Sequence, residues 1–295
     1  MKSEPQITQI AQIKSEPQIT MIDKEPQITQ IAQINESRRS KKSVKSAKSA
    51  VNIKDKGMEK VIVIHAKHLR ERMVHMERQL RDWPGEVVYI TEADKDELTD
   101  EMVRAYIKEG CELDNRSGAT SCAIKHIKAC QYIVDHQLEG ALVLEDDIVL
   151  HQGFEADFEK TMAEYRAHYA DQPIIISYED SSLQFIPRSQ RRKGQWLYEA
   201  PQNRVRFNGA LYINQKAAQA IVDDVKANKC DIAVDHYYMH LYGKGLLQFL
   251  WCEPALATQG SFNGSFVSSM GQIRSLEGIR WRLKYAYKRL VYWFR

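Results

Sequence analysis

Three consecutive acids, Glu145, Asp146 and Asp147, follow the apolar run Ala141-Leu142-Val143-Leu144 and precede Ile148-Val149-Leu150. Two carboxylates held about 4 Å apart at an effective dielectric near 20 repel by roughly 4 kcal/mol, so such a cluster asks for a cation. Hard oxygen donors suit Mg²⁺ or Mn²⁺, whose shells phosphate oxygens commonly complete. The plainer alternative is a solvated turn that caps the next element, because Asp favours both places. A receiver domain also holds Mg²⁺ with paired acids after an apolar strand. It needs a phosphate-accepting Asp at the end of a later strand, and Pro173-Ile174-Ile175-Ile176-Ser177 ends without one.

The run before the acids is too short for a free-standing helix and reads as a strand buried on both faces. In open α/β sheets, ligands collect beyond the carboxyl ends of such strands. Upstream, Val61–Ile64 and 86–90 read as strands, with a helix over 65–79 between them. Thr99 is a candidate N-cap before Met102, Tyr106 and Ile107. Ser117 to Cys122 leads into a helix whose Ile124, Ile127, Val134 and Leu138 recur near helical spacing. His126 near its start reads by itself as a packing or surface histidine. Downstream come a helix over 154–168, strands at 174–177, 207–213 and 247–251, a helix over 215–225, and a glycine-punctuated loop at 259–265. Alternating strands and helices imply a mostly parallel sheet in an α/β domain. A basic loop with Arg188, Arg191, Arg192 and Lys193 is either a lid over an anionic ligand or an ordinary exposed loop.

The 295 residues, 43% of them hydrophobic, can bury one substantial core. A net charge of +3 argues against a dedicated nucleic-acid binder. The five cysteines form no CxxC pair, which fits a reducing cytoplasm, and no apolar stretch is long enough to span a bilayer. Residues 1–57 differ from the rest: Glu-Pro-Gln-Ile-Thr recurs from Glu4, Glu16 and Glu25, and a Ser/Lys/Arg-rich linker follows. They read as a disordered extension, with Met58 as the natural start of a domain over 58–270. The tail, 271–295, carries an apolar stripe of Ile279, Leu283, Ala286, Tyr287, Leu290, Val291 and Phe294 between basic residues. It reads either as an amphipathic helix on an anionic membrane surface or as a terminal helix packed on the domain.

Four landmarks in order resemble glycosyltransferase family 25, the lipopolysaccharide and lipooligosaccharide core enzymes. They are the first strand and basic helix with Glu71-Arg72, where His65 and His68 replace other residues; Gly118 with Cys122 and His126; the Leu144-Glu145-Asp146-Asp147 strand end; and a later set. That set comprises Gly209–Ile213, Val234-Asp235, Pro254 and Gln259-Gly260-Ser261. Ala119, Ser121 and Lys125 depart from the family's helix-start pattern.

The resemblance implies a GT-A type nucleotide-sugar-binding domain, with a Rossmann-like mixed sheet flanked by helices. It implies an inverting transfer, dependent on Mn²⁺ or Mg²⁺, from a UDP-sugar, with UDP-galactose favoured, to a bacterial lipooligosaccharide at the inner face of the cytoplasmic membrane. On this reading Asp147, with Asp146, holds the metal, and Glu145 or Asp146 reaches ribose or donor sugar. Arg72 and His126 lie on the donor side, and Gln259, Ser261 and Asn263 close over the diphosphate. Asp235, with His236 second, is the base for the acceptor hydroxyl; the alternative for Asp235 is a helix N-cap. A non-catalytic scaffold binding membrane or nucleic acid through its basic ends is the competing class of function, and three repelling carboxylates at a strand end count against it.

Overall fold

The structure, a computed structural model, describes residues 59–263, Phe266 and 275–295, without the side chains of Asn263 and 275–277. The expectations for the repeats, the basic linker and the Met58 start lie outside the described residues, as does that for the Asn263 side chain.

The described elements run β1 (Lys60–Ile64), α1 (Arg70–Gln79), β2 (Val87–Ile90), α2 (Asp100–Tyr106), α3 (Gly118–Asp135), β3 (Gly140–Glu145), β4 (Ile148–Leu150) and α4 (Phe154–His168). The second half adds β5 (Ile174–Ser177), β6 (Leu197–Glu199), β7 (Ala210–Asn214), α5 (Gln215–Asn228), α6 (Val234–Gly243), β8 (Gln248–Cys252), β9 (Ala257–Gln259), α7 (Gly260–Asn263) and α8 (Ser275–Phe294). Seven strands form one mixed sheet in the order β2-β1-β3-β7-β5-β8-β6. The β1–β2, β1–β3 and β5–β8 pairs are parallel, while β7 runs antiparallel to both β3 and β5. That antiparallel strand in the middle of the sheet disposes of the receiver alternative, whose flavodoxin-like sheet is doubly wound and parallel.

Strand alternation builds two apolar layers. Ile62, Ile64, Val143, Leu211 and Ile213 pack with α3, α5 and α6 on one face. Val61, Val63, Leu142, Leu144 and Ile176 pack with Met76 of α1 and Phe154, Phe158 and Met162 of α4 on the other. Each such side chain contributes roughly 1.5–3 kcal/mol when fully buried, so the central strands are fixed in register and their carboxyl ends are held still. The Thr99 cap matches the sequence reading, its side chain accepting the Met102 N–H, and Ser117 caps the next long helix by accepting the Thr120 N–H.

Several boundaries differ from expectation. The first helix begins at Arg70 rather than at His65, which leaves His65 and Ala66 as a loop facing the acids. The described part of the glycine-punctuated stretch, 259–263, is a strand end and a short helix: β9 pairs antiparallel with β4, placing Gln259 opposite Ile148, and the Gly260 N–H donates to the Asp147 carbonyl at 2.7 Å. The strand β6 has no periodic signal, since Leu197-Tyr198-Glu199 is only three residues long at a sheet edge.

The tail packs on the domain through one face of α8 and leaves its apolar stripe exposed on the other. Trp281 donates its indole N–H to the Ser181 carbonyl, Tyr285 its hydroxyl to Asp180, and Tyr292 packs with Leu183 and Phe185. On the opposite face, Ile279, Leu283, Tyr287, Leu290 and Phe294 are 56–79% exposed. Among the described residues no helix is long and apolar enough to cross a membrane.

Candidate active site

The site begins where β1 and β3, paired in parallel with Ile64 opposite Glu145, end together. The chain then turns through Asp146 and Asp147 before β4. All three acids lie near other polar groups, yet each has a different environment.

Asp146 is 5% exposed and fully engaged: one oxygen accepts the Arg72 guanidinium at 2.7 Å, and the other accepts the Ala66 N–H at 3.1 Å and lies 2.9 Å from His65 Nδ1. Burial pushes this carboxyl up, but the His65 hydrogen bond and Arg72 outweigh it and hold the carboxyl below its ordinary range. Asp146, expected as a companion metal ligand, anchors α1 and the His65 loop to the strand end through these bonds.

Asp147 is 4% exposed, and its Oδ1 has no hydrogen-bond partner. Its Oδ2 lies 3.9 Å from Arg72, and Ser261 hydrogen-bonds to the carboxylate. Burial, followed by the neighbouring Glu145 charge, pushes its pKa up to about 6. Glu145 is held at both oxygens: Oε1 lies 3.2 Å from His126 Nε2 and 3.7 Å from Cys122 Sγ, and Oε2 accepts the Gln259 side-chain amide at 2.8 Å. His126 is therefore a fully buried partner of Glu145 and not a surface histidine.

Because the folded-state pKa of Asp147 lies above the ordinary 3.8, its protonated form favours the fold, and that contribution disappears as pH rises through about 6. In metal-free protein, the stability of Asp147→Asn relative to the native chain should therefore increase between pH 4.5 and pH 7 by on the order of 2 kcal/mol. Denaturant unfolding at both pH values measures this. A difference independent of pH would mean that Asp147 titrates ordinarily. Glu179, buried beside the same acids and likewise pushed up, remains in both proteins, but the Asp147 charge is one of the causes of its shift, so its titration moves with the substitution.

Two cavities meet at Glu145. One, of about 110 Å³, is lined by His65, Arg72, Asp94, Ser121, Lys125 and Asp146, among others. Lys125 donates to the His65 carbonyl at 2.6 Å and pairs with Asp94, so this wall is rigid and polar. The other, of about 270 Å³, is lined by Glu145, Asp147, Asn208, Asp235, Gln259 and Ser261, with Phe207, Val234 and Phe262 supplying apolar walls. Gly209 makes this arrangement possible: a Cβ there would come within 2.9 Å of Gln259 and Glu179 side-chain atoms.

The structure thus brings Arg72, Glu145, Asp147, Asp235, Gln259 and Ser261 to one cavity. Asp235 sits in the first turn of α6, whose N-cap is Ala233, so capping is not what places a carboxylate there. His236 is exposed and is not among the residues lining either cavity, so it is not brought to the site; its N–H only donates to Asp235 at 2.9 Å. Nor is the basic loop a lid here. Arg191 pairs with Glu253 at 2.8 Å, and Arg188 stacks over Trp293, 3.9 Å from the ring centroid. Residues the sequence did not single out as functional are Asn208, Glu179, Asp94 and Lys125. Asp94 and Glu179 show no motif, Lys125 entered only as a departure from the family pattern, and Asn208 fell within the strand read over 207–213, whereas β7 begins at Ala210.

A family model described as glycosyltransferase family 25 (LPS biosynthesis protein) matches residues 58–238, more than half of the chain. No curated protein matches it in sequence. Solved structures of similar arrangement include mouse xyloside xylosyltransferase 1 in its apo form, 15% identical, with 64% of this chain and 70% of that one covered at a TM-score of 0.34. Another is mannose-1-phosphate geranyltransferase from Thermus thermophilus, 9% identical, with 66% and 73% covered at a TM-score of 0.31.

Proposed function

The chain belongs to glycosyltransferase family 25, and on that premise we propose that it is an inverting, divalent-cation-dependent transferase of GT-A type, moving a hexose from a UDP-sugar to a lipooligosaccharide acceptor. UDP-galactose is the first donor to test. The observation that carries this reading is the buried, half-unpartnered Asp147 carboxylate on the wall of the 270 Å³ cavity, next to Glu145 where the two cavities meet. A carboxylate kept dry beside a second negative group is unfavourable unless a cation compensates it.

The donor set fits a hard cation. Asp147, with an oxygen to spare, and Glu145 beside it offer carboxylate oxygens, as Mn²⁺ or Mg²⁺ prefers. Bound there, the ion would supply Lewis-acid stabilisation of the diphosphate leaving group. The protein's own residues do the rest. Arg72 fixes Asp146 and lends positive charge near Asp147. The 110 Å³ cleft, with Arg72, Lys125 and the His65 loop, takes the nucleotide end, while the 270 Å³ cavity takes the sugar. Asp235, on the far wall of that cavity, accepts the proton of the attacking hydroxyl.

A screen of radiolabelled UDP-sugars for transfer or slow hydrolysis tests the reaction class. Turnover of at least one donor that stops on chelation is expected; no turnover with any donor, with or without Mn²⁺, counts against it.

The acceptor is lipid-linked, and the exposed face of α8 suits its location. Five large apolar residues face outward between Arg280, Arg282, Lys284 and Lys288, as an interfacial helix on an anionic bilayer requires. Deleting α8 would also strip the Trp281, Tyr285 and Tyr292 contacts, so point changes are the better test. Leu283→Ser with Leu290→Ser and Phe294→Ser should lower flotation with anionic liposomes severalfold and leave transfer to a soluble acceptor unchanged. Undiminished flotation would remove the membrane role.

A further inference from the structure

We propose that Asn208 is the residue that reads the transferred hexose, using both ends of its side-chain amide to bind hydroxyl groups; this rests on the donor-site reading above. Asn208 is 3% exposed and lines the 270 Å³ cavity, yet neither its amide nitrogen nor its amide oxygen has a hydrogen-bond partner. Leaving a buried polar group unsatisfied costs stability, and native proteins keep few such groups without a reason. Here two occur on one side chain at a cavity wall.

The rest of that wall says which ligand they suit. Gln259 Oε1 is likewise buried and unpartnered, and its amide nitrogen is committed to Glu145, so the oxygen presents a fixed acceptor. Asn208 and Gln259 together therefore offer one N–H donor group and two carbonyl acceptors. Carbonyl acceptors repel a phosphate but suit hydroxyls, each of which both donates and accepts. Phe207 and Phe262 stack 5.0 Å apart at 12° and give the same cavity a flat apolar wall. Neutral hydroxyls on one edge and an apolar face on the other describe a pyranose ring. The diphosphate belongs with Arg72, which lines both cavities, toward the 110 Å³ cavity that also holds Lys125.

Position in the chain supports the assignment. Asn208 directly precedes Gly209, whose carbonyl accepts the Glu145 N–H at 2.8 Å and whose missing side chain lets Gln259 and Glu179 approach. The amide is thus tied to the acid cluster through one short backbone segment, so hexose and diphosphate are held in fixed relation.

The test compares UDP with UDP-galactose, UDP-glucose and UDP-N-acetylglucosamine, by calorimetry with Mn²⁺, on the full chain and on Asn208→Ala and Asn208→Leu. For the sugar nucleotide that the native chain prefers, both variants should bind about tenfold more weakly, while UDP affinity changes less than twofold. Their ligand-free melting temperatures should equal or exceed the native value, because an unsatisfied amide has been removed. Parallel loss of UDP and sugar-nucleotide affinity, no loss of either, or a marked fall in melting temperature would each overturn the assignment. A native chain that binds UDP but none of the sugar nucleotides would contradict the hexose site alone. One that binds none of the four would overturn the functional reading and this inference with it.

Discussion

Asp147→Ala should lower sugar transfer by on the order of 10³-fold, the scale on which preorganised electrostatic stabilisation of a leaving group operates. The reason lies in what surrounds the residue. Asp146 has its oxygens committed to Arg72, His65 and the Ala66 N–H, and Glu145 is divided between His126, Cys122 and Gln259. Asp147 alone of the three keeps a buried oxygen without a partner. No neighbour can take over its role by rotation, because both adjacent acids would have to abandon existing hydrogen bonds. Steady-state assays against the native chain at saturating Mn²⁺ measure the effect. Asp146→Ala should also impair the enzyme, but through a different route: Arg72 loses a buried partner and α1 its anchor, so loss of stability should accompany loss of activity. A variant at Asp147 that keeps more than a tenth of native turnover would show that the cation, if used, is held elsewhere.

The second large effect is expected at Asp235. Asp235→Asn is nearly isosteric, leaves α6 and its Ala233 cap in place, and retains the hydrogen bond to the His236 N–H through the amide oxygen. What it loses is the capacity to accept a proton. Transfer should fall by roughly 10²–10⁴-fold, the contribution of a positioned general base, while UDP affinity stays within a factor of about two. Reading kcat and UDP binding side by side distinguishes a base from a residue that only shapes the cavity. Retained turnover would remove Asp235 from the chemistry, and loss of UDP binding would reassign it to donor binding. His236→Ala, outside the cavity, should be close to native.

The sequence made the centre of this site legible because the acids interrupt an apolar run. A strand buried on both faces cannot tolerate Glu145, Asp146 and Asp147 within it, so their place at a strand end follows from burial alone. The same logic located Ile174–Ser177 and the helix 154–168 to the residue. It could not distinguish the three acids, since their different partners come from His65, Arg72, His126 and Gln259, residues up to 114 positions from the acid they touch. Gln259 and Ser261 entered only through a family resemblance. In the sequence they sit among glycines and read as loop, whereas the β4–β9 pairing carries them to the acid tip. Asn208 had no functional signal, because it fell within the stretch 207–213 read as a strand, and its burial without partners is a tertiary fact. The tail was read as one of two alternatives, and α8 packs on the domain while leaving its apolar stripe exposed: the stripe counts residues on one face, and the aromatic residues that hold α8 down lie on the other.

The burial pattern also bears on dynamics. Gln259 is tied to Ser181 through its backbone N–H and to Glu145 through its side chain, and Ser181 in turn accepts from Trp281 of α8 at its carbonyl. Helix α8 and the acid cluster are therefore joined by a short chain of hydrogen bonds.

The central claim is that the acid tip of β3 gathers a divalent cation that binds the nucleotide diphosphate. Calorimetric titration of UDP into the native chain and into Asp147→Ala, each with Mn²⁺ and with chelator, tests it most directly. The account predicts tight UDP binding only for the native chain with Mn²⁺, and a loss on chelation that the variant reproduces. Equal UDP affinity in both proteins, or UDP binding indifferent to the metal, would contradict it.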